Sequence, residues 1–194
     1  MDKRQFLLLT GAALLAGCES GKPAFKGVDI TGADYAQGFA LPDQHGQVRT
    51  LADFAGKVVI VFFGFTQCPD VCPTSMQELA EVKRLLGPDG EKLQGIFVTL
   101  DPERDTPELL KAYMDSFDPG FVALRPNAEQ LVQVSKAFKI YYKRVEGKTP
   151  TSYTLDHSAG SYTFDTRGRI RLYNRYGSGA QALADDARLL IKGA

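Results

Sequence analysis

The sequence predicts an α/β fold in which a central mixed β-sheet is flanked by helices. Three observations carry this. Val58-Val59-Ile60-Val61-Phe62-Phe63 and Gly95 to Leu100 are unbroken apolar runs, rich in β-branched and aromatic residues, as in strands covered on both faces. Between and after them, apolar residues recur at three- and four-residue spacing between helix caps. Beyond Ser161 the pattern changes to short strands around a turn. At 194 residues, 44% hydrophobic and 24% charged, the composition is that of a globular chain with length for one well-cored domain. Lys plus Arg and Asp plus Glu both number 23, so no net field draws the chain to nucleic acid. Binding must come from a local site.

The first residues are distinct. Lys3 and Arg4 precede an apolar run from Phe6 to Ala16, and the small residues Ala16 and Gly17 lead to Cys18. These are the parts of an export signal. The run falls short of the ~20 apolar residues that a membrane-spanning helix needs. Leu15-Ala16-Gly17-Cys18 resembles a bacterial lipobox, which implies cleavage after residue 17, lipidation of Cys18 and a membrane-anchored lipoprotein facing the periplasm or cell exterior. The expected organisation is a signal peptide over 1–17, a lipidated cysteine and tether over 18–37, and a folded domain over 38–194. With Cys18 lipidated, Cys68 and Cys72 remain as a pair in an oxidising compartment.

Along the domain, Phe39 to Leu41 and Val48 to Leu51 flank Asp43-Gln44-His45-Gly46, an N-terminal hairpin. After the first buried strand, Met76, Leu79, Val82 and Leu86 mark a helix that opens with Pro73 in its first turn and stops at Gly87-Pro88. The second buried strand follows. Thr106 caps a helix opened by Pro107 and continued by Leu109, Leu110, Tyr113 and Met114. Phe121 to Leu124 reads as a short strand, and Asn127 with Gln130 opens a helix containing Leu131, Val134 and Phe138. Ile140 to Val145 reads as a strand; Ser161 to Phe164 and Ile170 to Tyr173 form a late hairpin about Asp165-Thr166-Arg167-Gly168; Ala180 to Ile191 closes as a helix. This order matches the thioredoxin-like arrangement.

Cys68-Pro69-Asp70-Val71-Cys72-Pro73 lies between the first buried strand and the first helix, where α/β sheets gather ligands. Cys72, ahead of a proline, is expected at the helix cap, where N–H groups and the dipole favour thiolate. The pair can meet one metal ion or form a redox-active or merely structural disulfide. Only two histidines exist in the chain. His157, between strand-like stretches, can complete a three-ligand site or be an ordinary satisfied polar side chain. His45 belongs to a surface turn. Two thiolates and an imidazole suit copper in either common oxidation state. Zinc with an open position is a further reading of the same trio. Asp101, at the carboxyl end of the second buried strand, can hydrogen-bond a ligand or tune the site, whereas Asp105-Thr106-Pro107 reads as a turn and cap.

Gly64-Phe65-Thr66 before Cys68-Pro69-Asp70-Val71-Cys72-Pro73, then Asp101-Pro102-Glu103-Arg104-Asp105-Thr106-Pro107, then Asp156-His157, together resemble the Sco/SenC family over roughly Phe39 to Leu190. The resemblance implies copper, as Cu(I) and Cu(II), on Cys68, Cys72 and His157, with Asp101 involved in metal handling. It also implies a membrane-anchored protein that assembles the dinuclear copper centre of cytochrome c oxidase through transient contact with its copper-site subunit, the lipid on Cys18 replacing the transmembrane helix of many members. The alternative is a tethered thiol-disulfide oxidoreductase that keeps the oxidase cysteines reduced. Against a general oxidoreductase, three residues rather than two separate the cysteines, and no proline falls between Leu155 and Tyr162. A peroxidase is a weaker reading still.

Overall fold

The structure is a computed structural model that describes residues 24–149 and 152–194. Cys18 and the signal expected over 1–17 lie outside the described residues. In chain order the elements are β1 (Val28–Asp29), β2 (Ala40–Pro42), β3 (Val48–Thr50), β4 (Val58–Gly64), α1 (Val71–Leu86), β5 (Leu93–Thr99), α2 (Pro107–Asp115), β6 (Val122–Leu124), α3 (Ala128–Ala137), β7 (Tyr142–Glu146), β8 (Tyr153–His157), β9 (Ser161–Phe164), β10 (Ile170–Asn174) and α4 (Ala180–Ile191). Short 3-10 turns follow β3 and α1. No helix among the described residues is long and apolar enough to cross a membrane.

Six strands form one sheet in the order β1-β10-β9-β4-β5-β6. β4, β5 and β6 run parallel, while β9 and β10 are antiparallel to their neighbours, so the sheet is mixed, as expected. Every residue of β4 and β5 is buried, which accounts for their unbroken apolar sequence. Alternation along β4 sends Phe62 and Phe63 to opposite faces. Phe62 lies beside Phe97 and His157, and Phe63 against Phe138 just after α3. α1 packs on α4. The β2–β3 turn lies along the outer edge of β6, with Gln44 and Arg125 N–H groups bonding the carbonyls of Ala123 and Pro42. That edge is thereby covered.

The helix boundaries follow the capping chemistry. The Thr106 side chain accepts from Leu109 N–H, and Asn127 and Gln130 form a reciprocal capping box. Gly87, with φ of 59°, ends α1 in a conformation that side-chain-bearing residues adopt at a cost.

Three expectations change. Val28–Asp29, expected within the tether, forms β1 and pairs with β10. The preceding Lys26 and Gly27 N–H groups donate to the Asp186 carboxylate at 2.8 Å each. The folded unit therefore begins well before residue 38. The strand expected near Ile140 to Val145 stands outside the central sheet, paired instead with β8 in a two-stranded hairpin. His157 is consequently the last residue of a strand, not part of a loop. Finally, α1 begins at Val71 with Asp70 as its cap, so Cys72 sits inside the first turn. First-turn N–H groups need no intrahelical acceptor, which lets Pro73 follow without loss.

Candidate metal centre

The parallel pair β4 and β5 ends on one rim, and the cysteine loop leaves β4 there. Gly64 closes the strand at the point of tightest approach. A Cβ on it would lie 2.7 Å from Cys72 Sγ, 2.9 Å from Phe62 and 3.0 Å from Phe97. Glycine is what lets the first turn of α1 settle this close to the sheet. Cys72 is fully buried and Cys68 half-buried, both as free thiols. The Cys72 N–H donates to Cys68 Sγ at 3.4 Å, so the sulfur takes a first-turn donor that the Asp70 side chain leaves unbonded.

His157 reaches the pair from the β7–β8 hairpin. Its Nε2 lies 3.5 Å from Cys72 Sγ, and Cys68 Sγ, Cys72 Sγ and the imidazole nitrogen all fall within 4.8 Å of one another. On the other side of the ring, Nδ1 is 2.8 Å from the Ser158 carbonyl, an acceptor only, which places the proton on Nδ1 and presents the Nε2 lone pair to the sulfurs. Phe62 and Phe65 hold the ring edge-to-face at centroid distances of 6.2 and 5.9 Å. Burial holds the imidazole below its ordinary range, against the opposing effects of the Ser158 carbonyl and Asp156. The neutral, metal-binding form is thus the resting one.

The electrostatics of Cys72 differ from the expected low-pKa thiolate. Burial pushes its thiol well above the ordinary range, outweighing the Phe65 backbone N–H, with Cys68 and Asp105 pushing the same way. Desolvation overrides the helix dipole here because the sulfur is enclosed by β4 rather than open to solvent. A bound cation would reverse this by supplying the positive charge that the site lacks.

Asp101 is buried on the same rim but is engaged elsewhere. It accepts from the Tyr153 hydroxyl at 2.7 Å and pairs with Arg104; the metal-ligand cluster found among the described residues contains only Cys68, Cys72 and His157. Asp105 is the residue that sequence reasoning missed. It is completely buried and accepts from Thr66 N–H at 3.2 Å, from Thr66 Oγ1 at 2.5 Å and from Thr99 Oγ1 at 2.5 Å. It therefore ties the start of the cysteine loop to the end of β5. Its carboxyl is raised by burial, opposed by the hydrogen bonds from Thr66 and Thr99. The Asp105-Thr106-Pro107 cap signature concealed this role, since Thr106 does cap α2. The available signal was a pair of threonines, Thr66 just past the end of β4 and Thr99 at the end of β5. His45 is exposed in the β2–β3 turn, away from the cluster.

The SCO1/SenC family model matches residues 28–192, nearly all the described chain. The chain belongs to the SCO1/SenC family. It is 39% identical over 132 residues to the SCO2-like protein of Rickettsia felis, covering 68% of this chain but 64% of that one. It is 36% identical over 179 residues to the mitochondrial SCO2 homolog of Bos taurus, covering 91% of this chain and 67% of the relative. ScoI of Bradyrhizobium japonicum, solved with copper bound, is 38% identical and superposes with a TM-score of 0.72, covering 79% of this chain and 97% of that one. The SCO1/SenC assignment agrees with the thioredoxin-like order of strands and helices, and the match begins at Val28, the first residue of β1.

Proposed function

We propose that this SCO1/SenC protein is a copper metallochaperone in which Cys68, Cys72 and His157 hold one copper ion, as Cu(I) or Cu(II), for the dinuclear copper centre of cytochrome c oxidase. The observation that supports it most is the convergence of two thiols and an oriented imidazole within 4.8 Å. Two soft sulfurs and one nitrogen favour copper, and structural zinc ordinarily takes four protein ligands. Copper is cargo here. The half-exposed Cys68 gives an incoming thiolate of the oxidase copper subunit a sulfur edge at which to begin ligand exchange, while the fully buried Cys72 keeps hold until the last. Lipidation of Cys18 would hold the domain against an energy-transducing membrane from its exported side.

A second reading, thiol-disulfide exchange, is favoured by one feature. Cys68 and Cys72 are adjacent free thiols of unequal exposure, the arrangement of an attacking and a resolving sulfur. Oxidation of the pair would transfer two protons and two electrons to a partner disulfide and remove two of the three copper ligands.

Copper titration of the reduced full chain and of His157→Ala, run beside a disulfide-reductase assay on both, distinguishes the readings. One tightly held copper per chain, weakened by His157→Ala, with slow thiol exchange, supports the chaperone. Fast catalytic exchange indifferent to His157 would overturn it.

A further inference from the structure

His157 belongs to the β7–β8 hairpin, and that hairpin lies outside the six-stranded sheet. Two strands alone are marginally stable in water, so something must hold the hairpin against the body. Arg104 lies where it can do so. Its Nε pairs with Asp101 on the rim after β5. Its Nη1 donates to Gln67 Oε1, next to Cys68, at 3.1 Å, and to the Tyr153 carbonyl, at the start of β8, at 2.9 Å. One planar group thus joins the cysteine loop, the β5 rim and the strand that ends in His157.

The contacts around Tyr153 reinforce this. The Arg104 guanidinium carbon lies 3.5 Å from the centroid of the Tyr153 ring, and that of Arg144 on β7 lies 3.7 Å from it. At such distances the two cations occupy opposite faces of the ring. The Tyr153 hydroxyl donates to Asp101 at 2.7 Å, so the same carboxylate receives both Arg104 and Tyr153. Arg104 Nη2 is buried without a hydrogen-bond partner among the described residues, held in place between the Tyr153 and Phe65 rings. Phe65 in turn packs against the His157 ring. Tyr153 and His157 are four residues apart on one strand, hence on the same face, with the buried Leu155 between them. Fixing Tyr153 fixes the direction of His157.

We propose that Arg104, acting through Asp101 and Tyr153, is a positioning residue that docks the β8 strand and so delivers His157 as the third copper ligand. It touches no sulfur and contributes no ligand atom. The proposal rests on the copper reading above, and its consequence is specific: loss of Arg104 should cost copper affinity only while His157 is present to be positioned. A residue acting merely on fold stability would weaken copper binding whether or not the histidine remained. Lysine could retain the charge but not the fork that reaches Gln67, Tyr153 and Asp101 together.

The test is a double-mutant cycle on the full chain, with Cu(I) affinity measured by competition against a chromophoric chelator for wild type, Arg104→Gln, His157→Ala and the pair. The expected result is an affinity about tenfold lower for Arg104→Gln in the wild-type background and unchanged in the His157→Ala background. Equal losses in both backgrounds would overturn the proposal. Should Arg104→Gln fail to fold, Arg104→Lys runs the same cycle. Should wild type take up no copper, the copper reading fails, and amide exchange on metal-free protein still decides the clamp. Arg104→Gln should then speed exchange in β8 about tenfold while leaving β4 and β5 unchanged. Uniform acceleration, or none, counts against it.

Discussion

Cys72 Sγ and His157 Nε2, from positions 85 apart in sequence, meet at 3.5 Å across the end of β4. The contact does more than gather candidate ligand atoms. The imidazole, packed edge-to-face on the buried Phe62 and Phe65 rings, covers a sulfur that is itself fully buried.

That enclosure makes the two thiols unequal. In the reduced, metal-free protein, iodoacetamide should modify Cys68 at least about tenfold faster than Cys72, because alkylation needs an accessible thiolate and Cys72 is fully buried with its thiol pushed up. His157→Ala should narrow the difference by opening a path to Cys72. Peptide mass spectrometry over a time course measures both rates. Equal rates in wild type would contradict the burial argument.

Gly64→Ala tests the packing behind the site. Its Cβ would meet Cys72 Sγ at 2.7 Å and two aromatic rings at 3.0 Å or less, and β4 is covered on both faces, so no neighbour can move freely. Overpacking of this kind costs about 1–3 kcal/mol. The sulfur is the atom displaced, so copper affinity should fall together with the urea midpoint. A variant as stable as wild type with undiminished copper binding would show that the approach is looser than these distances.

Asp105→Ala should be more damaging than Asp101→Ala. Removing the Asp105 carboxylate leaves the Thr66 N–H and the Thr66 and Thr99 hydroxyls without their acceptor in a fully buried place. A cost of about 2–4 kcal/mol is expected from buried groups left unpaired. Asp101→Ala instead frees the hydroxyl of the half-buried Tyr153 and releases Arg104, which is still 16% exposed and keeps its bonds to Gln67 and the Tyr153 carbonyl. Chemical denaturation of the two variants gives the order directly.

How much of this was legible in the sequence depended on the kind of signal. β4, β5, α1, α2 and α3 were readable because burial on both faces, 3.6-residue periodicity and capping pairs such as Asn127 with Gln130 are written locally. The cysteine loop was readable for the same reason. β1 was not, because a two-residue strand has no pattern of its own and exists through Asp186 and β10. β8 does carry the period-2 alternation of a strand in Tyr153-Thr154-Leu155-Asp156-His157, a signal that the reading of this stretch as a loop passed over. For His157, its type and scarcity made it a candidate. Its partnership with Cys72 depends on a hairpin held by Arg104 and Tyr153, a long-range relation that no local pattern records.

The last prediction concerns acid. Asp43 and Asp165 do the same work in the β2–β3 and β9–β10 turns: each is buried, accepts backbone N–H groups of its own turn and pairs with an arginine, Arg49 or Arg169. Burial pushes each carboxyl up, but the arginine and backbone hydrogen bonds outweigh it, so both fall below the ordinary value of 3.8. The folded state then binds fewer protons than the unfolded chain in that window, so stability falls as pH falls. The contribution is fully present above about pH 4 and is lost as pH drops from the unfolded value through the lowered folded one. Asp165→Asn should therefore cost about 1–3 kcal/mol at neutral pH. The gap to wild type should begin to close as pH falls through ~3.8 and be closed below the lowered folded value, where the wild-type carboxyl is protonated too. Asp105 has the opposite sign: its carboxyl is raised, so its proton is held more tightly in the folded state, and ionisation opposes folding as pH rises through its folded value. Thermal unfolding of wild type and Asp165→Asn between pH 2 and 7 measures the difference. A gap that stays constant across that range would mean that the Asp165 pairings hold the turn by shape rather than by charge.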